Sequence, residues 1–308
     1  MDTLYEVKEG FYLKFNPEMI TVIAQITEPQ RMYDFCKGKF EALPSHKSVK
    51  KAIENGLLLL NNQQVGTGKF VQEGDIVTLT QIIVNKPQDY HFELHVVYED
   101  DDIAIIEKPA GIPVSGNSFK TILNMLGGNL KPSPMVDVLP WPVPSHRLDV
   151  PTQGLLICAK TVTANKSLGE MFREKLIRKT YHALVAGKPS PSEGMIDDPI
   201  DGKAAISEYE TLKTVPSLSH EQLSWVQLSP LTGRTHQLRI HMSGKGCPII
   251  GDLEYGPWTK RHKGLFLAAV GISLNHPRTG EVLTITIPTP AKFETYLNRE
   301  QERFEKMK

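Results

Sequence analysis

The stretch PSHRLDVPTQGLLICAK, residues 144–160, places one carboxylate, Asp149, directly after His146, Arg147 and Leu148 and just before a Pro and a Gly that turn the chain. A carboxylate there can serve as a base, as a nucleophile or as half of a salt bridge. A neighbouring cation favours the charged form of an acid, so an Asp beside an Arg suits base or nucleophile work. A plain Arg–Asp bridge at a turn accounts for the same residues. Hydrolysis of a glycosidic bond calls for two acids flanking the bond, and nothing close to Asp149 in the sequence supplies the second, although folding can.

Other chemistries find less support. His236 and His241, in RTHQLRIHMSGKG, stand about 140° apart on a helix and on opposite faces of a strand, and the flanking Glu of a zinc-protease pair is missing. Asp100, Asp101 and Asp102 cannot all face one point in an extended chain and read as a solvated turn. Cys36, Cys158 and Cys247 are far apart with no CxxC pair, so neither a disulfide framework nor a thiolate zinc site is indicated. GGNLKPS and GDLEYG lack the strand-to-helix context of a phosphate-cradling loop, and no G-x-S-x-G elbow occurs. No metal or cofactor is expected. Asp149, Tyr181 and two arginines remain.

The chain of 308 residues has a formal net charge of zero, which argues against holding nucleic acid by bulk charge. Charge is nonetheless uneven. Arg147, Lys160, Lys166, Arg173, Lys175, Arg178 and Lys179 face only Asp149, Glu170 and Glu174 between His146 and His182, and a second basic stretch holds Arg234, Arg239, Lys245, Lys260, Arg261 and Lys263. Solvated faces explain either stretch alone; together they favour a local polyanion site. MDTLYEVKEG has no apolar signal region and GLFLAAVGISL is far short of the ~20 residues of a membrane span, so a cytoplasmic protein with no membrane partner is expected.

Several elements must position these residues. Ser45 can cap a short helix with Val49, Ala52 and Ile53 on one face and Lys47, Lys50 and Lys51 opposite, ended by Gly56. LLLLNNQQV and IVTLTQIIV read as strands. NKPQDYHFE reads as a linker, LHVVYEDDDIAIIEKPAGIPV as two strands about an acidic turn, and Pro-rich 131–145 as extended chain without regular structure. LLICAK follows a turn at Gly154 as a buried strand. Thr161 or Thr163 opens a helix through ANKSLGEMFREKLIRK, and in the strand TYHALVAG Tyr181, Ala183 and Val185 share one face. AAISEYETL, LSWVQLSP and GEVLTITIP are further strands before a charged closing helix. Strands outnumber helices without regular alternation, which favours an α+β fold with a largely antiparallel sheet.

HRLDVPTQGLLICAKT resembles the catalytic motif of the RluA-type pseudouridine synthases, H-R-L-D-x-x-T-x-G followed by an apolar strand and Ala-Lys. EDDDIAIIEKPAGIPV, RKTYHALVAG, LTGRTHQLRIHMSGKGCPIIGDLEYG and HPRTGEVLTITIP resemble other segments of that family in order and spacing, over roughly residues 95–290. Residues 31–80, from RMYDFCKGKF to VQEGDIV, resemble the alpha-L RNA-binding motif, without its usual basic residues beside the glycine. These resemblances imply a pseudouridine synthase fold with a mixed, largely antiparallel sheet plus a small α+β RNA-binding domain. The organisation implied is an extension at 1–30, the RNA-binding domain at 31–85, a linker at 86–94, the catalytic domain at 95–290 and a carboxy-terminal helix at 291–308.

By the same resemblance Asp149 is the catalytic aspartate, Tyr181 the ring that packs on the target base, Arg239 the bridge to Asp149, and Arg147 the side chain that enters the space left by a flipped nucleotide. Lys47, Lys50, Lys51, Arg234 and His236 are expected to contact RNA. The reaction implied detaches uracil from ribose, turns it and rejoins it through carbon five, consuming no water, redox partner or metal. Large-subunit rRNA is the expected substrate, with tRNA as the alternative, and a monomer is expected. An inactive RNA-binding assembly factor and a nucleoside hydrolase are the competing functions. Val150, Pro151 and Gln153 depart from the family pattern after Asp149, and Ala268 stands where many members carry a His.

Overall fold

The computed structural model describes residues 3–8, 11–15, 20–40, 43, 45–79, 82–85, 87–258 and 264–307. They divide into two compact units, Met1–Gln88 and Asp89–Lys308.

In the first unit Ser45 and Ser48 exchange side-chain and backbone hydrogen bonds in a capping box that starts the helix His46–Glu54. Its apolar face buries Val49, Ala52 and Ile53, and Lys47, Lys50 and Lys51 stand in solvent. Leu58–Leu60 and Gln63–Gln64 form a hairpin through Asn61 and Asn62, both at positive φ, as asparagine tolerates. Residues 20–23, expected in an extension, instead pair with Ile76–Leu79, because the β-branched run ITVI completes the sheet over Met32, Phe35 and Leu58. IVTLTQIIV is two strands, not one: Ile76–Leu79 in this sheet and Ile82–Asn85 in another with Phe11–Phe15.

The second unit is built on a 10-stranded sheet. Its main path runs His95–Glu99, Ile103–Lys108, Gln153–Thr161, Leu267–Asn275, Arg178–Ala186, Glu221–Pro230, Ser207–Ser217 and Glu193–Ile196. Every pairing is antiparallel except that of Gln153–Thr161 with Leu267–Asn275, so the fold is α+β with a largely antiparallel mixed sheet. That parallel seam is tight. Gly154, at φ +116, lies in the strand rather than in a turn, and a Cβ there would meet the Ala269 carbonyl oxygen at 2.1 Å. Only glycine permits the approach.

Three further expectations change. Pro-rich 138–144 is a strand, paired at Val138 with Thr161 and at Val143 and Pro144 with Ala159 and Cys158; its irregular register leaves room for residues that lack an N–H. The helix capped by Thr161 spans only Val162–Arg173, because Lys175 takes a left-handed backbone and the chain enters the strand at Arg178. Of the acids Asp100–Asp102, expected in a solvated turn, only Asp101 is exposed. Asp100 accepts hydrogen bonds from Tyr98, His276 and two backbone amides, and buried Asp102 receives a two-pronged clasp from Arg278 at 2.6 Å and the Thr161 hydroxyl. Beside them Lys160, counted above among the basic residues, is buried and bonded to Glu99 at 2.7 Å.

Candidate active site

Asp149 opens a turn closed by a hydrogen bond from the Thr152 amide to its own carbonyl. The turn is held from beneath by Lys108, a fully buried residue whose ammonium donates to the carbonyls of Pro109, Val150 and Thr152. Burial lowers the Lys108 ammonium to about 8, and the charge of Asp149 opposes that fall. His146, just before the turn, accepts the Ile157 amide at Nε2 and packs on Phe172; burial brings it down to about 3, so the ring is neutral.

The Asp149 side chain faces a cleft of about 1050 Å³. Tyr181 lines it from the strand Arg178–Ala186, 8% exposed, and burial followed by the charge of Asp149 raises its phenol well above the ordinary tyrosine range. The ring is therefore a neutral part of the cleft wall.

Arg239 comes from the helix Gln237–Gly244, and its Nη1 stands 3.5 Å from Asp149 Oδ2. Its shorter bonds go elsewhere. Nε and Nη2 each donate to Asp252 at 2.8 Å, and Nη2 also reaches Glu254 at 3.0 Å. Burial would lower this guanidinium, but the bonds and charge of Asp252, with the charge of Asp149, raise it above its ordinary value. Asp252 thus locks the fork and leaves one amine edge for Asp149. Asp252 lies in GDLEYG, where the sequence alone gives no sign that this acid pairs with Arg239.

His236 caps that helix in a left-handed conformation, φ 56, and sets Nε2 3.8 Å from Asp149 Oδ1 and Nδ1 3.0 Å from the Tyr255 hydroxyl. Left-handed backbone at a non-glycine residue is a strain that surrounding contacts must hold. Glu254 lies 3.4 Å from His236 Nδ1. Burial would raise the Glu254 carboxyl, but the hydrogen bond from Tyr255, the charge of His236 and the Arg239 contact hold it below its ordinary value. A second acid is thus near Asp149 in space, but as an anion; a hydrolase needs its partner acid protonated.

Arg147 and Arg234 line the same cleft, and Arg234 Nε donates to the Ala204 carbonyl. Lys47, Lys50 and Lys51 belong to the first unit. His241 is structural, buried and held by Ser207 Oγ and the Asp198 carbonyl. Ala268 packs with Leu184 and Phe266 on the other face of the sheet, while its neighbour Leu267 lines the cleft, so that departure leaves the cleft wall unchanged. Lys260, Arg261 and Lys263 lie outside the described residues.

Comparison with known proteins agrees with this architecture. Residues 102–244 match the family model described as RNA pseudouridylate synthase. An RNA pseudouridine synthase of Chloroflexus aurantiacus is 35% identical over 93% of this chain and 95% of its own. The ribosomal large subunit pseudouridine synthase C of Vibrio parahaemolyticus is 28% identical over 87% and 92%. The solved structure of human RNA pseudouridylate synthase domain containing 4 superposes with a TM-score of 0.55 at 26% identity, covering 67% of this chain and 92% of that one. A fold and a cleft of this kind define an isomerase that acts on RNA. The chain belongs to the RNA pseudouridine synthase family and, within it, to the RluA type.

Proposed function

We propose that Asp149 is the catalytic carboxylate for conversion of uridine to pseudouridine, with Tyr181 packing on the base, Arg239 holding the acid, and Arg147 filling the gap in the RNA. The carrying observation is that Asp149, Tyr181 and Arg239 meet in one cleft where the other nearby acids, Asp252 and Glu254, are both tied to Arg239. In the reaction the bond from N1 to the anomeric carbon breaks, a bond from C5 to that carbon forms, C5 gives up its proton and N1 gains one. Nothing is consumed, which suits a site whose acid, Asp149, keeps only the longer contacts of 3.5 Å to Arg239 and 3.8 Å to His236. A base stacked in an RNA helix must first leave it, at a cost of a few kcal/mol, and an arginine at the mouth is suited to offset that. Tyr181 supplies a stacking face and keeps water from the detached base.

Large-subunit rRNA is the substrate we propose, supported by the names of the relatives from Vibrio and Rickettsia. The first unit is proposed as an alpha-L type RNA-binding module, supported by its lysine-faced capped helix and the hairpin after it. Lys47, Lys50, Lys51, Arg234 and His236 are its proposed contacts and those of the cleft rim. Mapping pseudouridine in rRNA and tRNA from cells with and without the gene tests the reading. Loss of specific large-subunit sites is expected; loss only in tRNA would move the substrate, and no loss anywhere would overturn the activity.

A further inference from the structure

Lys160, Arg239, Arg278, Arg299 and Arg303 each lie within 4.0 Å of a carboxylate. Arg173, Lys175 and Arg178 have no such partner among the described residues, although Glu170 and Glu174 lie in the same segment. Those two acids do not line the cleft, whereas all three cations do. The three are exposed, and they cluster where the helix Val162–Arg173 ends and the strand Arg178–Ala186 begins. Lys175 takes the left-handed backbone, φ 59, in the turn that brings them together. Lys179 carries the row inward, its ammonium lowered by burial and set over the Phe172 ring, two residues before Tyr181 on the same strand.

Resting on the reading of the cleft as the uridine site, we propose that Arg173, Lys175 and Arg178 form a phosphate-binding rim that grips the RNA backbone flanking the target uridine. Unpaired, exposed cations continuous with a cleft that receives RNA fit phosphates, which neutralise them by releasing counterions. Stabilisation of the helix carboxyl end accounts for Arg173 alone, since Arg178 already lies in the strand.

The experiment compares the full-length protein with the R173Q/K175Q/R178Q variant, using a short single-stranded RNA that carries one uridine. Binding is measured against salt concentration, and turnover on rRNA purified from cells that lack the gene. The expected result is weaker binding at low salt and a salt slope smaller by about 2, since each phosphate on a single strand contributes about 0.7. Turnover at saturating rRNA stays unchanged. Replacing flanking phosphates by neutral methylphosphonates should weaken binding by the unaltered protein and not by the variant. An unchanged slope, with or without a lower melting temperature, overturns the rim, and so does a fall in saturated turnover that matches the fall in affinity. A wild-type protein that makes no pseudouridine yet shows the slope difference sinks the enzymatic reading and leaves the phosphate contacts standing.

Discussion

The turn at Asp100–Asp102 and the turn at Asp149–Thr152 both gather charge at the end of a strand, and they treat it in opposite ways. Around the first, every acid but the exposed Asp101 is closed by a partner: Asp102 by Arg278, Asp100 by His276 and the Tyr98 hydroxyl, and Glu99 by Lys160. Around the second, Arg239 is closed by Asp252, but Asp149 holds only contacts of 3.5 and 3.8 Å and the cations of the rim hold none with an acid among the described residues. Completed charge serves architecture. Charge left incomplete marks the place where a substrate supplies the rest.

The largest effect that separates the two turns is at Asp149. Asp149→Asn should fold and bind RNA, being nearly isosteric, yet lose turnover by about 10³-fold or more, because an amide is neither base nor nucleophile. Chromatography of digested RNA reads this, and recovery of free uracil from the wild-type reaction would indicate a hydrolase instead. Asp252→Asn should rank next. It frees the guanidinium that faces Asp149, so turnover should drop by about 10²-fold with little change in RNA affinity. If affinity fell instead, Arg239 would be an RNA ligand rather than a support for the acid.

Lys160→Met tests the closed turn. Leaving part-buried Glu99 without its cation should cost about 3 kcal/mol of stability, measured by denaturant melts, while turnover per folded molecule holds. A catalytic defect without a stability defect would erase the contrast between the turns. Lys108 gives a subtler, pH-dependent mark. Its folded value of about 8 lies below the ordinary 10.5, so between these the unfolded chain holds more protons. Stability should therefore rise as pH climbs through that window, the burden being fully present below 8. Turnover should decline over the same rise, because a neutral amine grips the Asp149 turn less firmly. Melts and initial rates on either side of pH 8 check both signs. The smallest effect is expected from Lys47→Ala, Lys50→Ala and Lys51→Ala together: weaker binding and a smaller salt slope, with saturated turnover unchanged.

What the sequence disclosed depended on how local the cause was. The helix after Ser45 and the inward face of Tyr181 follow from caps and periodicity, and both are found where spacing put them. The Asp149 segment was readable because its residues are contiguous. Asp252 and Lys108 were not, since an arginine's partner and a turn's supporting ammonium are chosen by the fold from distant segments. The acidic run at Asp100 misled for the same reason: its cations, Arg278 and His276, arrive from the far end of the chain. Prolines hid the strand Val138–Pro144, and the apolar run that proves to be the central strand Leu267–Asn275 carried no alternation because both its faces are buried.

The seam at Gly154 also sets a schedule for synthesis. Asp149 and Tyr181 are made long before Ala268 and Ala269, yet Leu267–Asn275 lies between the strand that follows Asp149 and the strand that carries Tyr181. Contacts so distant in sequence close late, after their loop entropy has been overcome. A chain lacking that strand has nothing to join the two flanking strands, so acid and ring come to one cleft only after Leu267–Asn275 has been made and paired.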